Sequence, residues 1–178
     1  TLHLTIKSLL AQSNLPKKII LWLHHDLENQ LPKSLLRLKS DIFQIRFRNQ
    51  FCSHRKLVFS LQEFSEEIIV TCDDDVMYDK NWLKSLYESH LNFPSDVIAQ
   101  ECREISFEKG KLLPYADWTY NESENITLPN LLPIGYGGVL YPAGAMHADT
   151  TREELYMQLA PKADDLWFKA MSLMNGVK

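Results

Sequence analysis

An apolar, β-branched run, Ile68-Ile69-Val70-Thr71, passes through Cys72 and stops at three consecutive carboxylates, Asp73-Asp74-Asp75. The run has the length and residue types of a strand buried in a sheet. Asn81-Trp82-Leu83 then opens a helix whose apolar face continues through Leu86 and Tyr87. This order of strand, acids and amphipathic helix sets the acids at the carboxyl end of a central strand, where open α/β sheets bind their ligands. Hard carboxylate oxygens in that place suit Mg²⁺ or Mn²⁺, and through the ion a diphosphate. The plain alternative is a solvated acidic turn.

The surrounding segments alternate between helix and strand. Thr1 to Ser13 carries Leu2, Ile6, Leu9 and Leu10 on one helical face, and Asn14-Leu15-Pro16 breaks it. Lys18-Ile19-Ile20-Leu21-Trp22-Leu23 is a continuous apolar strand of the kind covered on both faces. Leu31-Pro32 opens a short helix to Leu38, and Phe43 to Arg48 alternates as a half-exposed edge strand. Leu57, Leu61 and Phe64 mark a helix that begins near Ser53, a possible cap, with Arg55 and Lys56 at its amino end. A further strand starts at Asp96-Val97-Ile98. The alternation predicts an α/β fold with a mostly parallel sheet and helices on both faces. A helix already at Thr1 implies that the leading strand of such a unit is missing and that the sequence begins inside a domain.

With 178 residues the chain has the length of a single domain, residues 1–178. A net charge of −4 and no basic block beyond Lys17-Lys18 argue against a nucleic-acid partner. The cysteines, Cys52, Cys72 and Cys102, form neither a Cys-x-x-Cys pair nor a disulfide framework, so a reducing, cytoplasmic setting is expected. No apolar run reaches membrane-span length. Membrane association, at the inner face, is therefore expected only peripherally, through segments outside this sequence.

From Lys109 to Leu132 glycine, prolines and polar residues make a long irregular excursion, of the kind that is usually functional when ordered. Tyr115, Trp118 and Tyr120 within it either stack on a sugar ring or pack the loop on the core. Asn121-Glu122-Ser123 and Asn125-Ile126-Thr127 match glycosylation acceptor patterns, read here as chance without a secretory context. Ile134-Gly135-Tyr136-Gly137-Gly138 is a turn that lets backbone approach a ligand, and no Gly-Lys-Ser/Thr makes it a phosphate loop. Thr151 to Leu159 reads as a short helix capped by Thr150 or Thr151. Asp164-Asp165 then open a last helix with Leu166, Trp167, Ala170, Met171 and Met174 on one stripe. Capping accounts for one of these acids; the other suits a general base or a contact to an acceptor hydroxyl.

Taken in order, Lys56-Leu57, the run from Ile68 to Val76, Gly135-Tyr136-Gly137-Gly138-Val139-Leu140-Tyr141-Pro142 and Ala163-Asp164-Asp165-Leu166-Trp167-Phe168-Lys169 resemble a GT-A type glycosyltransferase, closest to bacterial family 2 enzymes. The resemblance implies a Rossmann-like domain that moves a sugar from a nucleotide-diphosphate donor, expected to be a UDP-sugar, to a glycan acceptor hydroxyl in surface glycan biosynthesis. It implies that Asp75, with Asp73, ligates Mn²⁺ or Mg²⁺. Asp73 or Asp74, with Lys56 and Arg55, would contact the donor. Asp165, with Asp164 as the second choice, would deprotonate the acceptor, giving inversion. Tyr136, Gly137, Gly138 and Trp118 would border the donor sugar and acceptor. His147 is a candidate late metal ligand, against a plain surface histidine.

Two other readings compete. Asp73-Asp74-Asp75-Val76 also satisfies the nucleophile motif of haloacid-dehalogenase-type phosphatases, with Asp73 as nucleophile. That motif normally stands on the first strand, whereas two strand-helix units precede it here. The other rival is a non-catalytic sugar- or nucleotide-binding remnant of the transferase fold.

Overall fold

The computed structural model describes residues 1–121, 123 and 126–178. Glu122 and Asn125 lie outside the described residues, and with them part of both Asn-x-Ser/Thr patterns. The chain opens with α1 (Leu2–Leu10), β1 (Ile19–His24), α2 (Lys33–Leu36) and β2 (Phe43–Arg48). It continues through α3 (Arg55–Glu63), β3 (Ile69–Thr71), α4 (Trp82–Asn92) and β4 (Ile98–Ala99). The stretch leading into the excursion and the excursion itself contribute β5 (Cys102–Glu104), the small hairpin β6 (Phe107–Glu108) and β7 (Lys111–Leu112), and β8 (Leu131–Pro133). Then come β9 (Val139–Tyr141), α5 (Glu153–Leu159) and α6 (Asp164–Met174).

The parallel pairing predicted by the alternation is made by β1 and β2, with Ile19 opposite Phe43. β9 lies between β3 and β4 and runs antiparallel to both, pairing Leu140 with Val70 on one side and Ile98 on the other. β3 and β4 therefore point the same way, separated by a strand that directly follows the glycines of the expected turn. Three residues between glycines and Pro142 are too short to show a period of two.

Side chains alternate across β9, and the two faces build two cores. Leu140 joins Ile6 and Leu9 of α1, Ile19 of β1, Phe43 of β2 and Leu86 of α4. Val139 and Tyr141 join Leu57 and Val58 of α3, Tyr156 of α5 and Trp167, Phe168 and Met171 of α6. Leu140 and Leu57 are fully buried, so truncating either to Ala costs about 2–5 kcal/mol. Trp22 Nε1 donates to Ser60 Oγ at 3.0 Å and ties β1 to α3. This packing fixes the first turn of α3, the end of β3 and the first turn of α6 relative to one another.

The excursion has its own small core. Trp118 is only 6% exposed; it packs with Leu132 and Ile134 and donates Nε1–H to Leu113 O at 2.9 Å. Among the described residues no helix is long and apolar enough to cross a membrane, and the three cysteines are free thiols.

Candidate active site

The acids at the end of β3 and those at the start of α6 meet at Lys56, on the first turn of α3. Its Nζ lies 3.2 Å from Asp73 Oδ1, 2.9 Å from Asp164 Oδ2 and 3.7 Å from Asp165 Oδ1. The residue before α6, Ala163, supplies no side-chain cap, and Asp164 and Asp165 in the first turn meet Lys56. Among the described residues His54, the residue before α3, makes no side-chain cap to that helix, so the cap expected from Ser53 is not formed there.

This arrangement sets the two neighbouring carboxyls apart. Burial alone would make the Lys56 ammonium easier to deprotonate, but the charges of Asp164, Asp165 and Asp73 outweigh it and hold the lysine protonated far above its usual range. Burial also works against charge on Asp164, yet the Lys56 charge and the hydrogen bonds from Lys56 and Ser53 prevail, leaving its carboxyl below the ordinary carboxylate range. For Asp165 burial wins. Lys56 and the Gly135 N–H offset part of it, repulsion from Asp164 and Asp73 adds to it, and the carboxyl stands above its ordinary value. Of the two, Asp165 is the stronger base.

The glycine turn closes over this group. Gly135 N–H donates to Asp165 Oδ2 at 3.0 Å, and a Cβ at this position would stand 2.4 Å from Lys56 Nζ and 2.8 Å from Asp165 Oδ1. The buried Tyr78 hydroxyl accepts the Asp73 N–H at 3.0 Å and donates to Tyr136 O at 2.9 Å, joining the acid turn to the glycine turn. Trp82 Nε1 donates to Gly137 O at 2.7 Å. Gly138, at φ +97°, lies so close to the Trp82 ring that a Cβ would meet Cζ2 at 2.3 Å. Gly137 and Gly138 thus face Glu101 and Trp82, and Gly135 is the glycine against the carboxylates.

Asp74 and Asp75 are exposed, and Asp74 O accepts the Thr5 hydroxyl. Among the described residues no three His, Cys, Asp or Glu side chains converge as a closed metal site. An exposed Asp75 beside Asp73 fits the other kind of site, where one or two carboxylates hold the ion and phosphate oxygens and water complete its shell.

A family model described as glycosyl transferase family 2 matches residues 1–142. The chain belongs to that family. It is a glycosyltransferase of the GT-A type, and such enzymes take nucleotide-sugar donors and glycan acceptors. No curated protein matches the chain. Membership removes the phosphatase reading. The matched residues end before α5 and α6, so Asp164 and Asp165 of this glycosyltransferase are tied to the site by their contacts with Lys56 and Gly135.

The geometry bears on three further expectations for the glycosyltransferase, and it corrects the one for Trp118. His147 Nδ1 accepts the Asp149 N–H at 3.2 Å, and its own N–H reaches Met171 O at 3.3 Å. His147 thus caps the turn at Ala148–Thr151 with its side chain. Trp118 is loop core, and the exposed aromatics of the excursion are Tyr115 and Tyr120. Arg55 points its guanidinium at Gln50 O, at 3.5 Å, and leaves the carboxylates to Lys56. Tyr78 and Trp82 belong to the site as well, and the sequence marks Tyr78 only by its place five residues after the first acid.

Proposed function

We propose that this glycosyltransferase moves a sugar from a UDP-sugar onto an acceptor hydroxyl of a surface glycan, with inversion and with dependence on Mn²⁺ or Mg²⁺. The observation that carries the reading is the shared cation: Lys56 Nζ lies within 4 Å of carboxylates from the end of β3 and the start of α6. Asp165 acts as the general base. Its carboxylate takes the acceptor proton while the acceptor oxygen attacks the anomeric carbon and the bond to the donor diphosphate breaks. Lys56 keeps Asp164 anionic and sets Asp73 and Asp165 on either side of one opening. Asp73 or Asp74 meets the ribose or donor sugar. Asp75, with Asp73, would hold the divalent ion, which supplies charge stabilisation to the departing diphosphate. The free thiols fit a reducing, cytoplasmic setting.

The test is release of nucleoside diphosphate from a panel of nucleotide-sugars with Mn²⁺ or Mg²⁺. Turnover of at least one UDP-sugar, falling about 100-fold or more in Asp165→Asn, is the expected result. Failure to turn over any donor, or an Asp165→Asn variant as active as wild type, overturns the reading.

A further inference from the structure

Beside the glycine turn lies a second cluster that the transfer chemistry leaves unused. Arg103 of β5 sits between two tyrosine rings, its guanidinium carbon 4.7 Å from the centroid of Tyr115 and 4.3 Å from that of Tyr120. Its Nη1 donates to Tyr115 O at 3.3 Å and Trp118 O at 3.4 Å, and its backbone bridges Tyr120. On the glycine turn beside it, the Tyr136 hydroxyl donates to the Glu101 carboxylate. Tyr115 and Tyr120 nevertheless stay 50% and 49% exposed.

Exposed tyrosines without such contacts sample several rotamers, and binding must then cover the cost of ordering them. Here stacking on Arg103 holds both rings in place before any ligand arrives. The buried Trp118 ring anchors the segment from below. The cluster offers half-exposed aromatic surface beside a guanidinium and a carboxylate. That combination suits a pyranose, which has apolar C–H faces and a rim of hydroxyls.

Position decides between a sugar and a protein partner. Tyr136 follows Gly135, whose N–H holds Asp165, so adjacent Cα atoms about 3.8 Å apart link the patch to the base. A protein face seated on the patch would cover the opening through which the acceptor must reach Asp165, whereas a glycan can lie along it and present one hydroxyl. We propose that Tyr115, Tyr120, Arg103 and Glu101 form an acceptor subsite that binds sugar rings of the glycan next to the one that reacts. Its location as an acceptor subsite rests on the transferase reading above.

The test uses the full chain on an array of short oligosaccharides of glucose, galactose, rhamnose and N-acetylglucosamine, followed by titration of the tightest. Tyr115→Ala and Tyr120→Ala are expected to lose affinity 10-fold or more with unchanged melting temperature. Tyr115→Phe, Tyr120→Phe and Asp165→Asn are expected to keep it. Unchanged affinity in both alanine variants, or no oligosaccharide retained by wild type, overturns the subsite. Donor turnover without acceptor, measured on the same proteins, reports on the transferase reading separately: if wild type fails there while a glycan is held through Tyr120, the binding surface survives and the reaction assignment does not.

Discussion

Gly135 donates its amide hydrogen to the Asp165 carboxylate at 3.0 Å, and the space where a side chain would begin is taken by Lys56 and Asp165. The demand at this position is one of room. A methyl group must displace either the Lys56 ammonium or the turn that positions the base. Gly135→Ala is expected to lower turnover by 10-fold or more while the protein stays folded. Circular dichroism and turnover on the same sample check both halves.

Asp165→Asn separates activity from stability. A carboxyl raised by folding binds its proton more tightly than the unfolded chain does, so stability falls as pH rises from the ordinary carboxylate value through the raised one, and the penalty persists at neutral pH. Removing the charge relieves it. The variant is expected to melt at or above the wild-type temperature at pH 7 with turnover reduced about 10²–10⁴-fold. In wild type the acid limb of the rate profile should sit above the ordinary carboxylate range.

Lys56→Met leaves three carboxylates facing one another without their cation. At pH 7 this variant is expected to be about 2–4 kcal/mol less stable than wild type. Asp164 sets the pH dependence: its lowered carboxyl contributes stability that is present above the unfolded value and lost as pH falls through the folded one. Denaturant midpoints of the two proteins should therefore converge as pH is lowered through that window.

His54, just before α3, is fully buried, stacks on Tyr156 with centroids 4.5 Å apart, and among the described residues finds no hydrogen-bond partner for either ring nitrogen. Burial holds its pKa below the usual imidazole value. The unfolded chain takes up the proton first, so stability falls as pH drops below about 6.5 and continues to fall until the folded value is passed. His54→Phe keeps the stack and should remove this part of the acid sensitivity, seen as a flatter melting temperature between pH 7.5 and 5.5.

Much of the scaffold was legible because its elements are long enough to show a period. Ile19 to Leu23 reads as a buried strand, and Leu57 with Leu61, or Trp167 with Met171, reads as a helix face. Asp73, Lys56, Asp164 and Asp165 could be named because charged residues at the ends of apolar elements are unusual enough to notice. What could not be read depends on contacts between distant segments. β9 is three residues long, and its central place comes from pairing on both sides. Gly135 outranks Gly137 and Gly138 at the carboxylates only because Lys56 and Asp165 happen to face it. Trp118 and its neighbours Tyr115 and Tyr120 are equally aromatic in sequence, and the packing of Leu132 and Ile134 decides which ring is buried.

The proposed binding of a cation and a diphosphate between the β3 acids and the α6 pair is tested most directly by calorimetric titration of UDP into wild type, Asp75→Asn and Asp165→Asn, with and without Mn²⁺. Binding to wild type that requires the ion, weakens 10-fold or more in Asp75→Asn and persists in Asp165→Asn is the predicted result. UDP affinity that is the same with or without Mn²⁺ and unaltered by Asp75→Asn would contradict it.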